Sequence, residues 1–387
     1  MSISLALNAI ASRIRAIAGI NSKKKILKDY SYLSEPIQPR NKNHPTPGER
    51  SITWILTPFY AGSGGHTTIL RFIRSLSAQG FRSQVVVMSG EYFGGVLHFE
   101  KLLHKYLEGC NVPVYVDLAE CPVSCATVAT GWLTAYLLKN YRADTKAVYF
   151  IQDYEPWFYP HGTEYELARN TYTFDFFGIT AGTWLKQVME TDHHMKCSAF
   201  SFSYDERIYF PGEGVDRPEK TVFFYARPAT SRRAFEMGVL VLSEVARRSP
   251  GTRVVFAGEN LSGYEIPFPH ISMGLLTPVG LANLYRQSDV ALVLSFSNVS
   301  LLPLEIMACG TAVVSNGGPW VEWLLSSASC CIANANVGSL VDEICALLNN
   351  DARRVELAAR GQQFARSTSW DLEANKVARS FDELLSA

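Results

Sequence analysis

Apolar and polar positions change period along this chain in a repeating order. A short unbroken apolar run at 52–56 is followed by a glycine-rich stretch at 61–65. Ile69, Phe72, Ile73 and Leu76 then recur at helical spacing until Gly80, and a second apolar run occupies 85–88. Short apolar runs bounded by turn residues predict buried strands, and a 3.6-residue period predicts an amphipathic helix. The same reading gives strands at 114–116, 147–151 and 177–180, with helices at 127–138 and from 183 to 189. Beyond a polar, Pro- and Gly-containing stretch at 210–220 the alternation resumes. Strands are predicted at 221–225, 253–257, 290–294 and 311–314, and helices at 234–247, 281–287, from Pro303 to Gly310, 337–348, 351–365 and 372–385. Strands alternating with helices twice over predict two doubly wound α/β domains, each on a parallel sheet.

The length of 387 residues suits two such domains. The boundaries read from the pattern are an N-terminal helix and linker over 1–50, a first domain over 51–212, a second over 213–370 and a last helix over 371–387. The chain is 47% hydrophobic and 19% charged, enough for sizeable cores. Its 36 basic and 36 acidic residues cancel, so global charge gives no footing for a nucleic-acid partner. Eight cysteines lie mostly in apolar context, as core filler in a reducing compartment does. Cys121 with Cys125 and Cys330 with Cys331 lack the spacing of a zinc site, so no metal is expected.

No apolar stretch approaches the length of a membrane span, and the N-terminus is not a signal peptide, because its basic residues follow the apolar part. Ile3, Leu7, Ile10, Ile14 and Ile17 share one helical face, ahead of Lys23, Lys24, Lys25 and Lys28. That pattern suits an interfacial helix on an anionic bilayer. A helix packed on its own protein or on a homodimer partner would show the same pattern. The expected location is cytoplasmic, peripheral at the inner face of the plasma membrane.

The residues fit for chemistry cluster after predicted strands. Between the runs 290–294 and 311–314 lie a polar loop and a short helix carrying Glu305. Loops at the carboxyl ends of parallel strands bind ligands, and helix-start N–H groups favour an anion such as a diphosphate. Glu305, one turn in, suits hydrogen bonds from ligand hydroxyls, and a nucleotide-sugar has both parts. Arg227 follows a strand, and Arg232 and Arg233 follow it; guanidinium groups bridge phosphate oxygens. Which of Arg232 and Arg233 points inward stays open. Gly64 and Gly65, after Gly62 and Ser63, would let backbone N–H groups approach a phosphate or sugar, and His66 either caps the next helix or lies at the surface. A serine-nucleophile elbow fails because position 61 is Ala61. Asp153 and Glu155 follow the strand at 147–151 among Tyr154, Trp157, Phe158 and Tyr159; a carboxylate there suits sugar hydroxyls or an acceptor proton, and the rings suit a sugar face.

The segment PLEIMACGTAVVSN resembles the donor-binding segment of the retaining family-four glycosyltransferases, which have the GT-B fold. The family pattern is a glutamate, seven residues and a second glutamate. Glu305 matches the second, whereas Ser297 stands where the first should be. The resemblance covers most of residues 51–370. It implies two Rossmann-like domains facing a cleft, a last helix crossing back to the first domain, and transfer with retention of configuration. Arg227 falls at the family's Gly-Arg motif, and Arg232 or Arg233 replaces its lysine. Asp153 stands in the loop where many members carry a histidine, and Ser297, Asn298, Leu301 and Leu302 fall in the donor loop. Without an Asp-x-Asp motif, the expected chemistry needs no metal and no cofactor beyond a nucleotide-diphosphate sugar.

The run YFIQDYEPWFYP, with LARNTY and GITAGTWL, resembles a bacterial subgroup that includes rhamnosyltransferases of surface polysaccharides. This implies a dTDP-rhamnose donor and a saccharide or lipid-linked glycan acceptor. Two rivals remain. Ser297 leaves room for a non-catalytic glycan- or nucleotide-binding subunit of a polysaccharide complex. A dehydrogenase fares poorly, because position 67 is Thr67 where G-x-G-x-x-G would need glycine.

Overall fold

The computed structural model describes residues 26–41, 45–46, 48–59, 63–88, 103, 107, 109–212 and 219–386. The expected N-terminal membrane-surface helix and Gly62 of the glycine loop lie outside these residues. The chain divides into two compact units. The first runs to Ala181 and takes in Lys186–Phe200 and Ala374–Ala387; the second comprises Gly182–Leu185 and Ser201–Glu373.

The first unit is built on seven strands: β1 (Ser51–Leu56), β2 (Arg82–Val87), β3 (Val114–Tyr115), β4 (Ala126–Ala129), β5 (Lys146–Ile151), β6 (Phe177–Ala181) and β7 (Cys197–Phe200). Their order is β3-β2-β1-β4-β5-β6-β7, and every pairing is parallel. Helices covering both faces explain why β1 is buried at all six positions and reads as continuous apolar sequence. Trp54 is its centre, edge-on to Phe150 at 5.8 Å and to Phe381 at 6.0 Å. Phe381 lies on the last helix, Trp370–Ser386, which from Ala374 onward belongs to this unit as the resemblance implied. Arg50 anchors that part through two bonds to Asp382, at 2.9 and 2.8 Å, while its guanidinium lies over Phe81.

The reading of 127–138 as one helix is corrected. The segment holds strand β4, a turn at Thr130–Gly131, and a helix over Trp132–Asn140. ATVA is buried at every position between β1 and β5, and a short apolar run of that kind carries no period to separate strand from helix. The strand matters because β4 lies beside β1, where the strand order reverses. The helix read from 67 starts earlier, at Gly64, and ends at Ala78.

The second unit holds β8 (Thr221–Ala226), β9 (Arg253–Gly258), β10 (Ile271–Ser272), β11 (Val290–Val293), β12 (Ala312–Asn316) and β13 (Cys331–Ala333). The order is β10-β9-β8-β11-β12-β13, again all parallel. Strand residues Val222, Phe224, Phe256 and Leu292 pack with Val241 and Leu242 of helix Phe235–Arg248 and Leu340 and Ile344 of helix Val337–Leu348. The approach is close: a Cβ on Gly238 would stand 2.3 Å from the Phe224 ring. Strand order reverses between β8 and β11, and the loops that leave their carboxyl ends flank a topological switch point, the place where doubly wound sheets bind ligands. Among the described residues no helix is long and apolar enough to cross a membrane.

Candidate functional site

The second unit brings most of the expected residues to its switch point. Arg227 follows β8 directly. Its Nη1 lies 3.9 Å from Glu259 Oε1, beyond the end of β9, and its guanidinium sits 5.4 Å from the Tyr225 ring centre. Glu259 also accepts a bond from the backbone N–H of Ala229 at 3.2 Å, so one carboxylate ties the two strand ends together. A 3₁₀ turn, Ser231–Arg233, then leads through Ala234, at φ 49°, into the following helix.

The two arginines divide their work. Arg233 donates from Nη1 to Ser295 Oγ and, at 3.2 Å, to the Asn298 carbonyl. Its guanidinium therefore secures the loop that leaves β11. Arg232 holds the same loop by its backbone carbonyl, which accepts from Phe296 N–H at 2.9 Å, and its side chain is half-buried.

That loop is fastened from a second side. Asn316, at the end of β12, accepts from Ser295 N–H at 2.8 Å and donates to the Ser295 carbonyl at 2.7 Å. Trp320 Nε1 donates to the same carbonyl at 2.8 Å, and Trp323 Nε1 donates to Asn298 Oδ1 at 2.7 Å. The Val299 N–H reaches the Trp320 carbonyl at 2.9 Å. Ser295, Ser297 and Asn298 are consequently buried, at 1%, 0% and 1% exposure. Ser297 is thus enclosed by its own loop.

Glu305 lies half-buried in the first turn of helix Leu302–Ala308, with Leu301 and Leu302 half-buried at its start. Burial, and then the Glu305 charge, push the Tyr209 phenol well above its ordinary range. Cys309, at the other end of the helix, is pushed up to about 12 by burial.

In the first unit, Gly64 and Gly65 are the exposed opening residues of a 15-residue helix, so their N–H groups belong to its unpaired first turn. Gln152 Nε2 donates to the Gly65 carbonyl at 3.1 Å, and a Cβ at Gly65 would stand 3.4 Å from that nitrogen. His66 has a structural setting. Its Nδ1 meets Ser63 Oγ at 2.8 Å, its Nε2 meets the Thr57 carbonyl at 3.1 Å, and its ring stacks on Phe59 with centroids 4.5 Å apart. Burial lowers its pKa to about 4, so the ring is neutral near pH 7.

Beyond β5, Asp153 is half-buried and its Oδ1 accepts from the Tyr154 N–H at 2.9 Å. Glu155 does something else. It is buried, accepting from Trp132 N–H at 2.7 Å and from the Tyr149 hydroxyl at 3.2 Å. A protein carboxylate therefore occupies the start of helix Trp132–Asn140. Tyr154 packs against Trp157 and Tyr172, and Tyr159 accepts from Trp132 Nε1 at 3.0 Å. Of this aromatic group, Trp157 is exposed.

Comparison with known proteins fits this geometry. The family described as WsaF, C-terminal domain, matches residues 220–345, which take in the second unit's sheet and the loop that follows β11. The O-antigen biosynthesis protein RfbC of Myxococcus xanthus is 33% identical over 267 residues, 67% of this chain but 21% of RfbC. The D-inositol 3-phosphate glycosyltransferase of Rhodococcus erythropolis is 27% identical over 188 residues, 43% of this chain and 42% of that protein. The chain thus spans about a fifth and under half of these two curated relatives. Among solved structures, sucrose-phosphate synthase from Thermosynechococcus elongatus superposes with TM-score 0.64 at 12% identity, covering 87% of this chain and 100% of that one. Anabaena HepE with UDP and glucose gives 0.66 at 13%, covering 87% and 100%. S. aureus TarM gives 0.68 at 9%, covering 86% and 100%. Identities this low carry the fold alone, and the fold is that of the GT-B glycosyltransferases.

Asn316, Trp320 and Trp323 were not singled out from the sequence. The one local signal is the SNGGPW run that ends β12, which holds Asn316 and Trp320; that two indoles and an amide converge on the preceding crossover's loop depends on strand order.

Proposed function

We propose that this chain is a glycosyltransferase that moves a sugar from a nucleotide-diphosphate donor to a growing surface glycan. The observation that carries this is the convergence of Arg227, the Arg232–Arg233 turn, the fastened loop 295–299 and Glu305 on the β8/β11 switch point. Arg227 and Arg232 neutralise the donor diphosphate without a divalent metal, and charge stabilisation that grows as the nucleotide departs raises the rate. Glu305 holds the pentose of the nucleotide through its free hydroxyl, and Ser297, Asn298, Leu301 and Leu302 form the loop around the donor. In the first unit, Gly64 and Gly65 offer first-turn N–H groups, and Asp153 serves the sugar or the acceptor hydroxyl. The donor is dTDP-L-rhamnose, transferred with retention. The resemblance of the 149–160 and 178–185 segments to rhamnosyltransferases supports this, as does likeness to a protein named for O-antigen biosynthesis.

A panel of nucleotide-sugars and free nucleotides tests the reading by thermal stabilisation and turnover. A ligand at about 100 times its Kd adds roughly 2.7 kcal/mol of stability. The expected result is the largest shift with the thymidine series, rhamnosyl transfer to a glycan acceptor, and loss of turnover in Arg227→Ala. Full turnover in that variant would overturn the site assignment. A second reading, a non-catalytic nucleotide- or glycan-binding subunit, is favoured by the enclosure of Ser297. Donor binding without transfer to any acceptor would select it.

A further inference from the structure

Four residues, Gly182–Leu185, belong to the second unit although the chain on either side of them belongs to the first. They lie in the GITAGTWL run, directly after β6. Two of them stand against the indoles that fasten the loop leaving β11. Gly182 is buried at φ 97°, and a Cβ there would stand 2.5–2.6 Å from the indole atoms Cε2, Cδ2 and Cζ2 of Trp323. Only glycine takes that backbone conformation readily and leaves the indole its place. Trp184 meets Trp320 edge-on, with ring centres 6.3 Å apart, and Phe202 adds a ring contact to Trp323 at 5.6 Å. Both indoles donate into the loop, Trp320 to the Ser295 carbonyl at 2.8 Å and Trp323 to Asn298 Oδ1 at 2.7 Å. The Asn298 carbonyl accepts from Arg233 Nη1 at 3.2 Å. Trp323 therefore holds this buried residue by its side chain while Arg233 holds it by its backbone.

We propose that Gly182 and Trp323 are positioning residues for donor binding: Gly182 seats the indole, and the seated indole sets Asn298 and the loop 295–299 in the conformation that receives the donor. The inference rests on the reading of that loop as part of the donor site. An indole has a single N–H donor, so where the ring rests decides where its bond points. A loop already held in its bound conformation loses less freedom when the ligand arrives. The effect belongs to ground-state binding, so it appears in nucleotide affinity and donor KM more than in kcat. The segment Gly182–Leu185 thus serves the donor loop although its neighbours in sequence build the first unit.

The test is calorimetric titration of the full chain with dTDP and UDP, in wild type, Trp323→Phe, Gly182→Ala and the double variant, each well below its thermal midpoint. Trp323→Phe keeps a ring beside Gly182 and removes the N–H. The expected result is about 3–10-fold weaker binding of the nucleotide that wild type prefers, the net range of one hydrogen bond. Donor KM should rise by a similar factor with kcat nearly constant. Gly182→Ala keeps the N–H but drives the indole from its seat, so it tests the seat independently and should weaken binding in the same way. In the Trp323→Phe background Gly182→Ala should change affinity by less than about two-fold, because both substitutions break the same bond. Wild-type affinity in both single variants, a fall in kcat at constant KM, or additive losses in the double variant would overturn the positioning role while leaving the donor site standing. Failure of wild type to bind either nucleotide would overturn the functional reading and this inference with it.

Discussion

His66 offers a stability test with a magnitude the structure supplies. Its pKa falls from 6.5 to about 4 because burial disfavours the charged ring, against a partly offsetting bond to the Thr57 carbonyl. The unfolded chain therefore binds a proton at a pH where the folded chain does not. Stability is fully present above about 6.5, declines as pH falls, and is fully lost below about 4. At about pH 5 the shift corresponds to roughly 2 kcal/mol, from 1.36 kcal/mol per unit of displaced titration. Other groups titrate in this range, so the informative quantity is a difference between proteins. His66→Gln removes the titration. Its destabilisation relative to wild type should shrink by about 2 kcal/mol between about pH 7.5 and pH 5. Two units need not unfold together, so amide exchange in helix Gly64–Ala78 is the proper readout. An NMR titration of the His66 ring should show a midpoint near 4. A midpoint near 6.5, or parallel pH profiles for the two proteins, would refute the burial argument.

Two further outcomes test the supports around the site. Asn316→Ala strips the acceptor from the buried Ser295 N–H and one donor from its carbonyl, and should lower stability by about 2–3 kcal/mol in urea denaturation; an unchanged midpoint would show that the loop does not depend on this amide. Glu155→Ala leaves the Trp132 N–H and the Tyr149 hydroxyl without their carboxylate, and should cost about 2 kcal/mol with faster amide exchange in helix Trp132–Asn140. Exchange at wild-type rates would count against Glu155 as the cap.

Part of the candidate site could be proposed from the sequence because its chemistry is local. Glu305 one turn into a helix after an apolar run, Arg227 beside a strand end and Gly64–Gly65 at a helix start are patterns of a few residues. Asp153 and Glu155 mark where that legibility stopped. They are two positions apart in the same loop and equal in sequence terms, yet one is half-buried at the strand end and the other is buried under a helix start. The difference comes from Trp132, 23 residues earlier, whose N–H needed an acceptor.

The sequence by itself determined the alternation of strands and helices, the presence of two units and the resemblance to a known transferase segment, because periodicity and short motifs are properties of neighbours along the chain. Strand β4 escaped it, since four apolar residues fit a buried strand or a helix turn equally well. Only the tertiary structure decided that Arg233 secures the loop at 295–298 and that Asn316, Trp320 and Trp323 complete that fastening. Those contacts join residues 21 to 65 positions apart across a parallel sheet, where strand order sets which loops become neighbours.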